Sequence, residues 1–197
     1  NDAITPLLMD VTDRKSIERA FNEVKSQTDS LAGIVNFAGI LRVGSISEMP
    51  EEMLSQLLDI HVMGTYRVNQ IFLPLLNTDS KGRIINVSSE TGWQSGGPFN
   101  GAYAMSKHAI EAYSDSLRRE LMFLGISVIK LQPGPFKTNM VAGIETNFNQ
   151  AIEITQYFTK QISRVKEIAL NEQSKAHSPN IIASTVLKAL TCKKPKA

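Results

Sequence analysis

The sequence predicts an α/β fold in which helices cover both faces of a doubly wound parallel sheet. Short apolar runs alternate with longer segments whose apolar residues recur every three or four positions, which is typical of strand–helix–strand units. A Gly, Pro, Asp or Ser closely follows each short run, where a strand would end. With 197 residues, of which 42% are hydrophobic, the chain can bury one core. We therefore expect a single domain over residues 1–197.

The order of the elements follows from these runs. Strands are predicted at residues 3–9, 31–37, 83–87 and 126–131. Helices are predicted after Asp13 and at 50–76, 102–124, about 150–171 and 179–190. The segment 50–76 forms one helix or two pieces, because Pro74 removes a backbone donor near its end. Gly125 should end the helix at 102–124.

One segment, 136–149, has no clean helical or strand period, and we expect a mobile apolar lid there. It belongs to a predicted substrate lid at about residues 135–172. Its apolar residues are Phe136, Met140, Val141, Ile144 and Phe148.

Composition and charge exclude several classes of protein. Lys and Arg number 21 and Asp and Glu 19, so the net charge of +2 gives no reason to expect nucleic-acid binding. The single cysteine, Cys192, cannot form an internal disulfide, which favours a reducing, cytoplasmic location. No apolar run approaches about 18 residues, so no transmembrane segment is predicted. The chain begins with Asn1, so we expect a fragment, and any targeting or anchor segment upstream would lie outside this sequence.

Polar and glycine residues follow the predicted strands at the edge where an open parallel sheet binds ligands. Because the carboxyl ends of parallel strands meet at one edge, these residues should surround a common cleft. They are Asp10 after the first strand, Asn36, Ala38 and Gly39 at the second, Ser88 and Ser89 at the third, and Gly134 to Thr138 after the fourth.

Ser89, Tyr103 and Lys107 form the strongest candidate site. Tyr103 and Lys107 are four residues apart on a predicted helix, so they share a face with Cβ atoms about 5–6 Å apart. A phenol has a pKa of about 10, and a neighbouring ammonium stabilises the phenolate and lowers that pKa. Ser89 reaches the same cleft and can hold an alcohol or carbonyl oxygen. Together the three side chains can move a proton on and off a carbonyl oxygen.

Each of these residues also has an ordinary structural explanation. A Tyr-x-x-x-Lys pair occurs by chance in many helices, as a half-buried aromatic beside a solvated lysine. A serine pair can cap a turn, and the residues at 36–39 and 133–135 can simply end strands. The order of all these residues along one rim favours a site.

Five motifs resemble those of the short-chain dehydrogenases/reductases in their single-domain form. They are DVTD (Asp10 to Asp13), NFAG (Asn36 to Gly39), GRIINVSS (Gly82 to Ser89), YAMSK (Tyr103 to Lys107) and PGPFKT (Pro133 to Thr138). The resemblance covers nearly the whole chain. It implies a Rossmann-like sheet, an enzyme that uses NAD or NADP, and reversible oxidation of an alcohol to a ketone or aldehyde.

The resemblance also implies roles for matching residues. Tyr103 would be the catalytic acid/base, Lys107 would lower its pKa and bind the nicotinamide ribose, and Ser89 would position the substrate oxygen. The cofactor contacts would be Asp10 and Val11 at the adenine, Asn36, Ala38 and Gly39 at the adenosine ribose, and Gly134, Phe136 and Thr138 at the carboxamide, with Pro133 in the same motif. The cofactor would supply the hydride. No metal is implied, and a homodimer or homotetramer would form through the helices at 51–76 and 102–124.

The sequence departs from the family pattern at several positions. The Gly-rich TGxxxGxG turn that holds a pyrophosphate is absent, so we expect the first two strands to lie upstream. The choice between NAD and NADP therefore stays open. His61 stands where the family has an Asn that supports a water relay to the lysine, and it would modify the relay, impair it, or be a satisfied helix histidine. Phe37 replaces the second Asn of the family motif, and Ser88 is an alternative to Ser89.

The leading hypothesis is an NAD(P)-dependent oxidoreductase that acts on an apolar alcohol or carbonyl substrate. The apolar lid favours such a substrate, and the stretches at 73–76 and 189–197 resemble the subgroup that handles retinoids, steroids or other lipid alcohols. One alternative is a non-catalytic binding or scaffold protein of the same fold, in which His61 disables the relay. Another is the branch of sugar epimerases and dehydratases, which carries a larger C-terminal domain.

We predict that this segment of 197 residues alone is inactive and binds NADH and NADPH weakly, because it contains no Gly-rich turn for the pyrophosphate. Fluorescence titration of both nucleotides checks this prediction. Submicromolar binding of either nucleotide would contradict it.

Overall fold

The structure is a computed structural model that describes residues 4–76, 82–193 and 195. Its helices are α1 (Arg14–Gln27), α2 (Glu51–Leu58), α3 (Thr65–Phe72), α4 (Gly101–Leu121), α5 (Asn139–Ala142), α6 (Ile144–Ile154), α7 (Thr159–Ser174) and α8 (Asn180–Thr191). Its strands are β1 (Gly33–Asn36), β2 (Arg83–Val87) and β3 (Ser127–Leu131). A π-helical turn lies at Asp59–Gly64, and short 3₁₀ turns lie at Leu73–Leu75, Glu90–Gly92 and Met122–Leu124.

The strands of the described residues form one parallel sheet in the order β1-β2-β3. Ile34 of β1 lies opposite Ile84 of β2, which lies opposite Val128 of β3. These register partners are buried in one core with apolar residues of α1, α3 and the end of α4. Helical segments make the crossovers between consecutive strands, as parallel pairing requires. The α/β fold with a parallel sheet is therefore confirmed.

The strand predicted at residues 3–9 is wrong for residues 4–9, and Ala3 lies outside the described residues. Residues 4–9 form no strand, and Leu8 is 100% exposed. An extended segment becomes a strand only by exchanging backbone hydrogen bonds with a neighbouring strand. Among the described residues β1 pairs with β2 and not with residues 4–9. The helix predicted next is confirmed, because the Asp13 carboxylate caps α1 by accepting from the Lys15 N–H at 2.9 Å.

The segment predicted as one helix or two pieces at 50–76 is a continuous helical path with a π-turn in its middle. A π-turn contains more residues than an α-turn and is often found at functional sites. Gly64 ends this turn, where a Cβ would come within 2.8 Å of Val11 Cγ2. Pro74 lies in the final 3₁₀ turn, as its missing donor predicts. Gly125, with φ at 71°, ends the next helical segment as expected.

The segment 136–149, predicted to be irregular, is largely helical, and the helix predicted at 150–171 is divided at 155–158. The physical reason is a second apolar cluster, in which Phe148 is only 3% exposed. Phe148 is therefore a core residue rather than part of an open lid surface. The other buried members are Val43, Ala151 and Ile162. The side chain of Val141 lies outside the described part of the chain.

Glu48 holds the turn between α6 and α7. Its carboxylate accepts hydrogen bonds from the backbone N–H groups of Gln156 at 2.7 Å and Tyr157 at 3.2 Å, and from the Thr155 hydroxyl. The hydrogen bond from Thr155 is the main reason that the pKa of Glu48 is lowered. The loop after β1 is thereby tied to the turn between α6 and α7.

Helix α8, predicted at 179–190, is confirmed and is held against the sheet by Arg83. The Arg83 guanidinium donates to the carbonyl of Ala189 at 2.9 Å and to the carbonyl of Cys192. Carbonyls at a helix C-terminus lack intrahelical partners, so the guanidinium caps α8. None of the described helices is long and apolar enough to cross a membrane.

The Arg83→Ala variant should lower the free energy of unfolding by about 2–4 kcal/mol, because the carbonyls of Ala189 and Cys192 lose a buried charged donor. Urea denaturation measures this change, and amide exchange should accelerate first in α8. Arg164→Ala is the control, since its side chain is 77% exposed and its loss should cost no more than about 0.5 kcal/mol. An Arg83→Ala variant as stable as the wild-type protein would contradict the prediction.

Candidate active site

The pairing of β2 with β3 continues past the ends of both strands and fixes the loop that carries the serines. The Ser88 N–H donates to the Leu131 carbonyl at 2.8 Å, and the Glu90 N–H donates to the Pro133 carbonyl at 3.1 Å. Ser89 lies between these two anchors and its hydroxyl caps the following 3₁₀ turn. The residues predicted at the ends of the third and fourth strands therefore lie side by side.

The two serines point to different surroundings. The Ser89 hydroxyl donates to Thr91 Oγ1 at 3.3 Å and to the Pro133 carbonyl at 3.4 Å, and it lies close enough to the Tyr103 hydroxyl to lower the pKa of Tyr103. Ser88 is 2% exposed, and its hydroxyl makes a long contact of 3.4 Å to the Lys107 carbonyl. Gly92 packs against it, where a Cβ would come within 2.4 Å of Ser88 Oγ. The geometry favours Ser89 over the alternative Ser88 as the serine of the site.

Tyr103 lies in the first turn of α4 and is partly buried. The pKa of its hydroxyl is raised, mainly because burial disfavours the charged phenolate. The hydrogen bond with Ser89 opposes this effect, and the negative charge of Glu90 adds to it. The phenol is therefore a neutral hydroxyl at neutral pH.

Lys107 lies one turn further along α4 on the same face, as the four-residue spacing predicts. Its Nζ is 5.5 Å from the centroid of the Tyr103 ring and donates to the Val87 carbonyl at 3.1 Å. The side chain is 5% exposed, and burial lowers its pKa to about 8. The expected lowering of the Tyr103 pKa by Lys107 is not found in this structure. The Lys107 ammonium is hydrogen-bonded to the strand, and burial is the largest effect on the pKa of the Tyr103 phenol.

His61 projects from the π-turn and uses both ring nitrogens. Nε2 accepts from the Ile40 N–H at 2.9 Å, so Nδ1 carries the proton and donates to Ser106 Oγ at 2.8 Å. The Ser106 hydroxyl in turn donates to the Tyr103 backbone carbonyl at 2.7 Å. The imidazole also packs edge-on against the Tyr103 ring at 5.7 Å. Burial, with the charge of Lys107, lowers the pKa of His61 to about 3, so the ring is neutral.

Asn36 belongs to a buried amide network beneath the rim. Its amide nitrogen donates to Asn69 Oδ1 at 2.8 Å and to Asn86 Oδ1 at 2.9 Å. The Asn69 amide also donates to Asn86 Oδ1 at 3.1 Å and to the Tyr113 hydroxyl at 3.2 Å. The network joins the ends of β1 and β2 to α3 and α4. The donor atoms of Asn36 are thus engaged inside the protein.

The other residues expected at the adenosine end lie at the rim. Asp10 is exposed, and its Oδ1 accepts from the N–H and the hydroxyl of Thr12, both at 2.8 Å. The backbone bond is the main cause of the lowered pKa of Asp10. Val11 packs against the π-turn at Gly64. Ala38 is exposed, and a Cβ on Gly39 would come within 3.1 Å of the Nε2 of His61.

The residues expected at the carboxamide follow β3. A Cβ on Gly134 would come within 3.1 Å of Glu90 Oε2. The ring of Phe136 packs on His177, with centroids 5.8 Å apart. Thr138 is exposed directly before α5. The structure thus brings Pro133 and Gly134 beside the Ser89 loop, whereas Phe136 contacts the segment before α8.

The sequence reasoning missed Ser106, Glu90, Asn69 and Asn86. Asn86 gave a usable signal, since an asparagine within an apolar strand must find hydrogen-bond partners when buried. Ser106 lies within the YAMSK motif and Glu90 directly follows the GRIINVSS motif. Their roles depend on where their side chains point, which the spacing of residues does not give.

The family model described as short chain dehydrogenase matches residues 1–164. An NADPH-dependent 3-dehydrocapnine reductase of Ornithobacterium rhinotracheale is 31% identical over 97% of this chain and 69% of its own length. Retinol dehydrogenase 16 of Homo sapiens is 39% identical over 70% of this chain, and the match spans 44% of its own length.

A solved structure gives the same result. A short chain dehydrogenase from Burkholderia cenocepacia in complex with NADP has a TM-score of 0.63 and 26% identity, covering 71% of this chain and 57% of that chain. The family match includes every strand and both helical segments that carry Tyr103, Lys107 and His61. The resemblance inferred from five motifs and the Rossmann-like fold are confirmed. This chain belongs to the short-chain dehydrogenase family.

Proposed function

We propose that this chain carries the proton-transfer site of an NAD(P)-dependent oxidoreductase that interconverts an apolar alcohol and its ketone or aldehyde. The observation that carries the proposal is that Ser89, Tyr103 and Lys107 lie together. The Ser89 hydroxyl is close enough to lower the pKa of Tyr103, and Lys107 is buried beside the tyrosine ring. Two neighbouring hydroxyls can both turn to one substrate oxygen.

The proton chemistry follows from the protonation states of the site. When bound, a nicotinamide cofactor supplies or accepts the hydride. As negative charge develops on the substrate oxygen, hydrogen bonds from Ser89 and Tyr103 stabilise it, and the Tyr103 hydroxyl donates its proton. A phenol with a raised pKa holds that proton until the charge develops. Lys107, with a pKa of about 8, provides a second proton near the ring.

The rim residues fit part of a dinucleotide. Asp10 is exposed, and its Oδ2 has no hydrogen-bond partner in the described part of the chain, so it can accept from an adenine amino group. Ala38 and Gly39 leave room for a ribose, whereas the donor atoms of Asn36 are engaged in the amide network. The relatives support an NAD(P) nucleotide, since the 3-dehydrocapnine reductase is named as NADPH-dependent and the Burkholderia cenocepacia structure holds NADP.

An apolar substrate is supported by side chains around the rim. Met140 of α5 lies over the loop after β1, where its Cε would be 3.4 Å from a Cβ on Gly39. Phe37 is 52% exposed directly after β1. Burial of apolar surface would therefore favour a hydrophobic substrate, with residues 135–172 as its lid. A relative named retinol dehydrogenase agrees with a lipid alcohol.

A homodimer or homotetramer is supported by exposed apolar residues on the long helices. Met63 and Tyr66 are exposed on the path between α2 and α3, and Met105 is exposed on α4. Such residues favour helix pairing between copies.

We assign His61 a positioning role rather than a place in the proton relay. Both of its ring nitrogens are engaged, one with the loop after β1 and the other, through Ser106, with the backbone of Tyr103. A neutral ring whose two nitrogens are both hydrogen-bonded within the protein has no nitrogen left to bind a relay water. His61 instead fixes the distance between the loop and the start of α4.

The free energy of unfolding should decrease as the pH falls from about 6.5 toward about 3, because His61 takes up a proton in the unfolded state that the folded state excludes. One such proton changes the free energy by about 1.4 kcal/mol per pH unit. His61→Asn should remove this contribution, and urea unfolding at pH 7, 6 and 5 measures the difference. Equal pH dependence in both proteins would refute a buried neutral imidazole.

The pH profile of turnover separates the two roles of His61. If the ring only positions other groups, His61→Asn of the complete protein should reduce turnover but keep the shape of the profile. A displaced limb would mean that the imidazole takes part in proton transfer.

Tyr103→Phe in the complete protein should reduce kcat by about 10²–10⁴-fold, because the general acid is lost. Ser89→Ala should cost about 10²–10³-fold, as expected for one donor to a developing oxyanion. NAD(P)H oxidation with a panel of apolar aldehydes and ketones provides the assay.

Ser88→Ala is the matched control for Ser89→Ala, because Ser88 is adjacent and faces away from Tyr103. It should retain turnover within a few-fold. Loss of turnover in Ser88→Ala with retention in Ser89→Ala would reverse the assignment. Normal nucleotide binding with no turnover across the panel would favour a non-catalytic binding protein.

A further inference from the structure

Glu90 occupies a position that the proposed reaction does not use. It directly follows Ser89 and begins the 3₁₀ turn at Glu90–Gly92. Its backbone N–H is anchored to the Pro133 carbonyl at 3.1 Å. The residue is therefore fixed at the junction of the two loops that form the carboxyl edge of the sheet.

The Glu90 carboxylate lies against Gly134. A Cβ at that glycine would be 3.1 Å from Oε2 and 3.7 Å from Oε1, so both oxygens face the glycine. The side chain is exposed and has no ion pair or hydrogen bond with any residue in the described ranges. It is thus an unneutralised negative charge at the rim.

The carboxylate is also close enough to Tyr103 to act on it electrostatically. Burial is the largest cause of the raised pKa of Tyr103, and the charge of Glu90 contributes in the same direction. Lys107 forms no ion pair with Glu90 in the described part of the chain, and its Nζ donates to the Val87 carbonyl on the strand. His61 is neutral with both ring nitrogens engaged. Among these groups around the phenol, Glu90 supplies the uncompensated negative charge.

We propose that Glu90 is a specificity-determining residue that excludes substrates with an anionic group next to the reacting carbonyl and admits uncharged ones. This inference rests on the proposed function, since the reacting oxygen would lie on Ser89 and Tyr103, beside Glu90. A carboxylate on the substrate, as in a 2-oxo or 3-oxo acid, would meet a like charge. At separations of about 6 Å near a protein surface, such repulsion reduces kcat/KM by about 10- to 100-fold.

The test compares one carbonyl compound in two charge states, 3-oxobutanoate and its ethyl ester, with the complete protein at low ionic strength. The wild-type protein should prefer the ester by at least about 10-fold in kcat/KM. Glu90→Gln should raise the ratio of kcat/KM for the acid to kcat/KM for the ester by about 10-fold, because any change in the acidity of Tyr103 acts on both substrates alike. Added salt should reduce the preference of the wild-type protein and leave Glu90→Gln unchanged.

Glu120→Gln is the matched control, because it removes the same charge at a position about 25 Å from Tyr103 along α4. It should leave both substrates unchanged. Turnover of both substrates with a ratio that Glu90→Gln does not alter would overturn the inference and leave the proposed function standing.

If neither substrate is turned over, the panel of apolar aldehydes and ketones decides the proposed function, and the role of Glu90 is judged without turnover. Tyrosinate absorbance is titrated in the wild-type protein and in Glu90→Gln, with Tyr103→Phe identifying the Tyr103 signal. Removing the carboxylate should lower the pH at which Tyr103 ionises. An unmoved Tyr103 titration would overturn the placement of the Glu90 charge at the site.

Discussion

The backbone pairing between β2 and β3 beyond the ends of both strands is the constraint on which the site depends. The bonds from Ser88 to Leu131 and from Glu90 to Pro133 align two loops that would otherwise be free to separate. Ser89 is held between these bonds and therefore faces α4 rather than solvent. The geometry of the candidate site is thus an extension of the sheet, and the loops contribute the side chains that it positions.

Burial then decides the charge states. His61, Tyr103 and Lys107 are all shifted toward their neutral forms, because a low-dielectric environment penalises each charged form regardless of sign. Glu90, at the exposed edge, is not buried and brings a negative charge to the entrance, whereas the charge inside the site is the Lys107 ammonium.

Much of this arrangement could be predicted from the sequence because it depends on periodicity. The Tyr103 and Lys107 spacing places both on one helical face, and the ends of the short apolar runs locate the rim. The prediction failed where the structure depends on contacts with distant residues rather than on the spacing of apolar residues along the chain. Residues 4–9 have the composition of a strand but no neighbour to pair with, and Phe148 has the composition of a lid but packs in a core. The direction of the Lys107 ammonium, toward Val87, is likewise invisible to spacing.

The π-turn at Asp59–Gly64 requires an exact number of residues between α2 and α3. An α-helix advances about 100° per residue, so loss of one residue within the turn would restore regular winding and rotate everything before it relative to α3. His61 would then leave the Ile40 amide, and Gly64 would no longer face Val11. Along this path a single deletion would do more harm than most substitutions, because no side chain can restore the lost phase.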